Sequence, residues 1–271
     1  MSIAMLDKAI SLLSVIPMRK EPSHRSEMVN QILFGELMHI LETKNDEWVK
    51  VRLSHDDYQG WVLTEQICLI DNETFQVHYT DYTGYSADMV DLILKKNSNH
   101  FFSILLGSKI PKIENGEFTI GGETLVFSGP TVKGVKTRAT IVDTALNFLY
   151  APYLWGGRTH FGIDCSGLVQ ISYRMAGVSM PRDSYQQATV GMQLSFVEEA
   201  MPGDLAFFDD EDGRIIHVGI VLPGKKIIHA GSGMVRIDML DQNGIYRPDL
   251  KKYSHRLRVL KNAFDINLKQ L

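Results

Sequence analysis

Cysteine is scarce in this chain: Cys68 and Cys165 are the only two among 271 residues. Two thiols cannot build the disulfide framework of a small secreted scaffold. Long apolar runs are also missing, and none reaches the roughly 20 residues that a membrane-spanning helix needs. The opening Met1-Ser2-Ile3-Ala4-Met5-Leu6-Asp7-Lys8 lacks the basic start and apolar centre of a secretory signal. Excess positive charge is absent too: 28 Lys+Arg stand against 32 Asp+Glu, for a formal net charge of −4. That balance leaves no electrostatic footprint for nucleic acid. These absences point to a reducing cytoplasm, with neither membrane nor nucleic acid as partner. No Cys-x-x-Cys pair and no His-Glu-x-x-His helix is present. One Cys and two His could ligate zinc, but a structural site needs a fourth ligand, so no metal or other cofactor is expected.

What is there is ordinary globular material, 44% apolar, in two styles. Up to about residue 136, short alternating segments dominate. Met38–Glu42, Trp48–Leu53 and Gly60–Leu63 each fit a strand, separated by turn-prone Thr43-Lys44-Asn45-Asp46 and Ser54-His55-Asp56-Asp57. The style continues from about Thr74 to Thr131. Short strands with regular turns suggest small β-barrels. Two of about 60 residues each would fit, with boundaries at 1–70 and 71–136. From 137 to 271 the pattern is α+β. Ile141, Val142, Ala145, Phe148 and Leu149 recur at helical spacing before Pro152. A second helix is capped by Asp164 and ended by Gly177, and a short third starts at Asp183. Strands then follow at Asp204–Phe208, His217–Val221 and Lys226–Ala230, so helices precede an antiparallel sheet.

Three residues carry the chemistry. Cys165 starts a helix, where unsatisfied N–H groups and the positive end of the dipole favour a thiolate. The same N–H groups could hold an oxyanion. Cys68, inside the strand-like run Gln66–Ile70, reads as structural. Leu222-Pro223-Gly224-Lys225 is a strong turn. Folding strands back about it sets His217 roughly opposite His229 on one face. One imidazole can then act as base to the thiol while the other orients it.

An ordered set of motifs resembles the NlpC-type bacterial cell-wall peptidases. They are Pro152-Tyr153-Leu154-Trp155-Gly156-Gly157, Asp164-Cys165-Ser166-Gly167-Leu168, Pro181-Arg182-Asp183-Ser184 with Gln187, Pro202-Gly203-Asp204, His217-Val218-Gly219-Ile220 and Ile228-His229-Ala230. The resemblance covers about residues 137–262 and implies a reduced papain-like domain. It implies Cys165 as nucleophile, His217 as base, His229 as orienting partner, and Tyr153 beside the developing oxyanion. It also implies substrate contacts at Asp164, Ser166 and Ser184. The N-terminal part resembles bacterial Src-homology-3-like domains, through Met18–Ser23 and Gly60-Trp61-Val62. The whole arrangement is similar to γ-D-glutamyl-L-diamino acid endopeptidases of the dipeptidyl-peptidase VI type. That similarity implies a cytoplasmic monomer recycling small murein peptides with a free N-terminal L-Ala, and it places Glu27 and Tyr58 at the ammonium. The rival expectations are an endopeptidase on intact murein, an amidase or acyltransferase using the same pair, and an inert wall-binding protein.

Overall fold

The turn-prone stretches between the early strands are where the chain reverses. Asn45, Asp46 and Asp57 take up left-handed backbone with φ of 53°, 56° and 58°, a conformation that short polar Asn and Asp tolerate. The reversals separate the strands Leu37–Lys44, Trp48–Leu53 and Gln59–Leu63. The structure, a computed structural model, describes residues 7–98, 100–231 and 233–267. The reading made of Met1–Leu6 therefore lies outside the described residues.

The chain divides into two compact units, Met1–Lys133 and Gly134–Leu271. In the first, seven strands form one antiparallel sheet, in the order Met28–Leu33, Val15–Arg19, Gln59–Leu63, Trp48–Leu53, Leu37–Lys44, Lys8–Ile10, Cys68–Ile70. Its alternating apolar residues Ile16, Met18, Ile32, Met38, Val49, Val51 and Val62 bury together. Two smaller antiparallel sheets follow, of four and three strands. A second cluster draws on both sides of residue 70, joining Ile10, Phe34, Leu37 and Ile70 to Phe75, Ile93, Ile104 and Phe118.

One segment departs from the sequence reading. The stretch from about Thr74, expected to continue the strand style, opens inside the helix Asn72–Thr80. The Asp71 carboxylate accepts the Thr74 N–H at 2.7 Å and caps it. The Phe, Val, Tyr and Thr content looks strand-like, but the cap and the burial of Phe75 and His78 override that propensity.

The second unit begins with the helix Arg138–Asn147, capped by Thr137. The helix Cys165–Met175 follows, and Ser166 through Met175 are all buried. Asp164 is its N-cap, and Gly177 ends it at φ 79°. A short helix spans Ser184–Gln187. The strands then run Leu205–Asp209, Ile215–Leu222, Lys226–Gly231, Met234–Asp241, Gly244–Arg247 and Lys252–Asn262. Lys252–Asn262 pairs with both Leu205–Asp209 and Gly244–Arg247. Those six strands therefore close on themselves as an antiparallel barrel. Ala206, Phe208, Val221, Ile227, Leu240, Ile245 and Leu260 fill it. The Cys165–Met175 helix packs on the strands Ile215–Leu222 and Lys226–Gly231. Among the described residues no helix is long and apolar enough to cross a membrane.

Candidate active site

The Pro223-Gly224 turn does fold the histidine strands together, with Ile220 opposite Ile228 and Leu222 opposite Lys226. Continuing that register sets His217 against Gly231 and His229 against Gly219, two residues away from direct opposition. The imidazoles instead meet on the diagonal, His217 Nε2 lying 2.9 Å from His229 Nδ1. Both still share the face of Val221 and Ile227, because side chains alternate with period two. The glycines make the diagonal contact possible. A Cβ on Gly231 would stand 3.2 Å from His229 Nδ1, and one on Gly219 would stand 3.1 Å from His229 Cβ.

The other nitrogen of His229, Nε2, lies 3.1 Å from Asp238 Oδ2. Asp238 in turn accepts Arg236 Nε at 2.7 Å and Arg236 Nη2 at 2.8 Å. His255 stacks on His217. A cavity of about 230 Å³ is lined by Tyr153, Ile216, His217, Ala230, Gly231 and His255. His217 is pushed well below the usual imidazole range, by burial first and then by His229 and His255.

Cys165 stands at the first position of its helix, half-buried and not in a disulfide. Backbone N–H groups of Val218 and Ser166 reach its sulfur, yet burial and the Asp164 carboxylate push the thiol up to about 12. The helix start therefore does not by itself make a thiolate. Asp164 occupies the same helix end. Its Oδ1 takes the Gly167 N–H at 2.7 Å and its Oδ2 takes the Gly156 N–H at 2.8 Å. Burial gives the larger part of the rise, and the capping carboxylate beside the sulfur adds to it through its charge. Arg182, 1% exposed, closes on Asp164 with Nη2–Oδ2 at 2.6 Å and Nη1–Oδ1 at 2.9 Å.

The remaining sequence candidates fall as follows. Tyr153 lies close enough to Cys165 to feel its charge, and burial pushes its hydroxyl up to about 12, so it stays a donor. Ser166 Oγ accepts from Arg182 Nη1 at 2.8 Å and donates to Asp164 Oδ1 at 3.2 Å. Ser184 is the first residue of its short helix. Gln187 Nε2 donates to the Ser166 carbonyl at 3.0 Å and ties that helix to the start of the Cys165 helix. Glu27, exposed, meets Lys20 at 3.4 Å. Tyr58, half-buried, packs on the core of the first unit. The structure brings together Cys165, Tyr153, Asp164 and Ser166 around the helix start, and His217 with His229 on the sheet. Among the described residues no cluster of His, Cys, Asp and Glu could hold a metal ion.

Asp238, Arg236, His255 and Arg182 had no assigned role in the sequence reading. The first two were within reach of the same hairpin reasoning, because the strand Met234–Asp241 folds back to set Arg236 opposite His229. His255 lay beyond it, since only barrel closure brings that strand near His217.

Comparison with known proteins agrees with this geometry. The NlpC/P60 family matches residues 150–253, and the bacterial dipeptidyl-peptidase SH3 domain matches residues 18–67. A γ-D-glutamyl-L-lysine dipeptidyl-peptidase of Bacillus subtilis is 31% identical over 227 residues, 78% of this chain and 74% of that one. A dipeptidyl-peptidase 6 of Lysinibacillus sphaericus is 25% identical over 265 residues, covering 89% and 95%. A crystal structure of an NlpC/P60 family protein from Bacillus cereus superposes with a TM-score of 0.79 at 18% identity, over 95% of this chain and 99% of that one. That likeness shows a shared fold. The chain belongs to the NlpC/P60 family of cysteine peptidases and carries an SH3-like domain ahead of its peptidase domain.

Proposed function

We propose that this chain hydrolyses the bond between γ-D-glutamate and an L-diamino acid in peptidoglycan-derived peptides that keep a free N-terminal L-Ala. The observation that carries the reading is the His217–His229 contact at 2.9 Å, on the strand whose Val218 N–H holds the Cys165 sulfur. The name of the Bacillus subtilis relative supports the choice of bond.

In this reading Cys165 Sγ attacks the γ-glutamyl carbonyl and His217 receives the thiol proton. Burial holds both groups neutral at rest, so the proton transfer accompanies attack. The tetrahedral oxyanion is met by the Tyr153 hydroxyl and by backbone N–H groups at the helix start. His217 then gives its proton to the leaving amine, and water, activated by the same imidazole, releases the thioester. A free ammonium needs a carboxylate in a closed site. Asp164 is saturated by Arg182 and two backbone N–H groups, so its part is to hold Ser166 and the helix start. The resemblance to the dipeptidyl-peptidase VI type is what puts forward Glu27 and Tyr58 for the ammonium, and Ser166 and Ser184 as further substrate contacts.

The finer assignments belong to the same proposal: a reduced papain-like domain over 137–271, and Src-homology-3-like barrels over 1–70 and 71–136. So do a cytoplasmic monomer and a role in recycling wall peptides. The test is incubation with L-Ala-γ-D-Glu-L-Lys and its meso-diaminopimelate analogue, with products read by mass spectrometry. Release of L-Ala-γ-D-Glu is expected, lost in Cys165→Ala and much reduced when the N-terminus is acetylated. Equal cleavage of acetylated and free peptides would replace this reading with an endopeptidase that has an open groove.

A further inference from the structure

Asp238 is buried beneath the histidine pair and takes no part in the steps above. Its side chain is 1% exposed and that of His229 is 0% exposed. It sits on the strand Met234–Asp241, where Arg236 is directly opposite His229. Residues 236 and 238 share a face, so Asp238 reaches His229 on the diagonal, repeating the geometry by which His229 reaches His217.

The proton positions in this chain follow from the donor inventory. Arg236 contacts both oxygens of Asp238, at 2.7 and 2.8 Å. A carboxylate gripped in this way stays ionised and can only accept. Burial alone would raise it, but the bonds from His229 and Arg236 outweigh that and hold it below the usual carboxylate range. The His229 nitrogen that faces it, Nε2 at 3.1 Å, must therefore carry hydrogen. In the neutral form of His229 that is the one N–H, so Nδ1 is bare and accepts. Its partner at 2.9 Å, His217 Nε2, must then be the donor. That leaves the lone pair of His217 on Nδ1, available to take a proton.

We propose that Asp238 is a positioning residue which, acting through His229, holds His217 in the Nε2–H tautomer that can accept the thiol proton. The inference rests on the reading of Cys165 as nucleophile and His217 as base. During attack the S–H bond breaks and the proton moves to His217 Nδ1. The positive charge formed is shared along the Nε2–H to His229 Nδ1 contact and faces the Asp238 carboxylate through the His229 N–H. No proton needs to leave the chain. The groups that face the histidines are His255 from the strand Lys252–Asn262, with Arg247 acting on His255, and Arg236 with Asp249 behind Asp238. Arg236 offsets most of the long-range field of Asp238, so tautomer control is the larger part of the effect. The loss should be smaller than the ~10⁴-fold cost of removing the carboxylate attached directly to the base of a serine triad.

The Asp238→Asn variant separates tautomer from charge. An amide at 238 must aim its NH₂ either at Arg236, which offers only donors, or at His229, which forces Nε2 to become an acceptor. The expected result is a fall in kcat of about ten- to 10³-fold, with KM little changed. Asp238→Glu should recover part of the rate. In a His229→Gln background the Asp238→Asn change should cost less than about twofold, because its route is gone. Nitrogen-15 NMR of histidine-labelled Cys165→Ala protein reads the tautomers without turnover. Nδ1 bare on both His217 and His229 is expected. A hydrogen on Nδ1 of either ring overturns the proposal, and this measurement needs no variant at Asp238. If Asp238→Asn keeps kcat within twofold while Cys165→Ala abolishes turnover, this inference fails and the proposed function stands. If Cys165→Ala itself retains turnover, the reading of the site fails.

Discussion

The imidazole of His255 lies flat on that of His217, with ring centroids 4.2 Å apart and planes 20° apart. Two stacked rings cannot both carry charge cheaply. Burial, and then the field of His229, bring His255 from the usual 6.5 down to about 4. The sign follows from linkage: between those values an unfolded chain binds a proton that the folded chain does not. Stability contributed by neutral His255 is therefore present above about 6.5 and lost as pH falls towards 4. His217, depressed in the same direction, adds to the slope. Denaturant midpoints measured from pH 7 to 4.5 should fall with pH. His255→Phe, which keeps a ring on His217, should flatten part of that fall. Identical slopes in the two proteins would remove His255 as a cause.

The raised thiol gives a second expectation. Cys165, pushed up to about 12 by burial and Asp164, should not show the neutral-pH alkylation plateau of a preformed thiolate–imidazolium pair. In a Cys68→Ser background, the iodoacetamide rate at Cys165 should climb by about tenfold per pH unit through the alkaline range. A plateau from pH 6 to 8 would mean that the resting pair is ionised, contrary to the burial argument.

Gly231 tests the diagonal geometry. A methyl there would lie 3.2 Å from His229 Nδ1 and 3.5 Å from His217 Cε1, tight enough to shift a ring by a few tenths of an ångström. Misplacement by about 1 Å can cost 10²-fold, so Gly231→Ala should lower kcat by roughly tenfold while the fold persists. Unchanged kcat with an intact circular dichroism spectrum would show that the histidine contact tolerates the shift.

Local signals made much of this site readable in the sequence. The Pro223-Gly224 turn, the Asp164 cap and the apolar spacing of Leu168, Ile171 and Met175 act within a few residues of themselves. Turn arithmetic found the pairing of His217 with His229 and set them roughly opposite, whereas the register about the turn carries their contact onto a diagonal. Period two preserved the face, so the chemistry survived the shift. The same arithmetic applied across Gly231 would have reached Arg236 and Asp238. Barrel closure was not readable, because Lys252–Asn262 pairs with the strand just before it, Gly244–Arg247, and also with the far earlier Leu205–Asp209. Nothing local to Ser254-His255-Arg256 announces a stack on His217. The thiol was misjudged for a related reason. A helix start is a local feature, whereas the burial of Cys165 depends on the whole packed site.

Arg182 is where stability and reactivity meet. It is 1% exposed, it grips both oxygens of Asp164, and it also donates to Ser166 Oγ. Removing one partner of a buried pair strands the other charge, at a cost of about 3–5 kcal/mol. Arg182→Met should therefore lower unfolding stability by about that amount in urea titrations. Arg182→Lys should lower it too, because a single ammonium cannot reproduce the two-pronged contact. The Asp164 charge raises the Cys165 thiol and Arg182 lowers it, so Arg182→Met should also slow alkylation of Cys165 at a fixed pH. Adding Asp164→Asn to Arg182→Met keeps a capping side chain and removes the stranded charge. The double variant should be more stable than Arg182→Met alone and should alkylate faster. If it is less stable than either single variant, the pair matters through its hydrogen-bond geometry and not through the uncompensated charge, and the coupling to the thiol should then vanish as well.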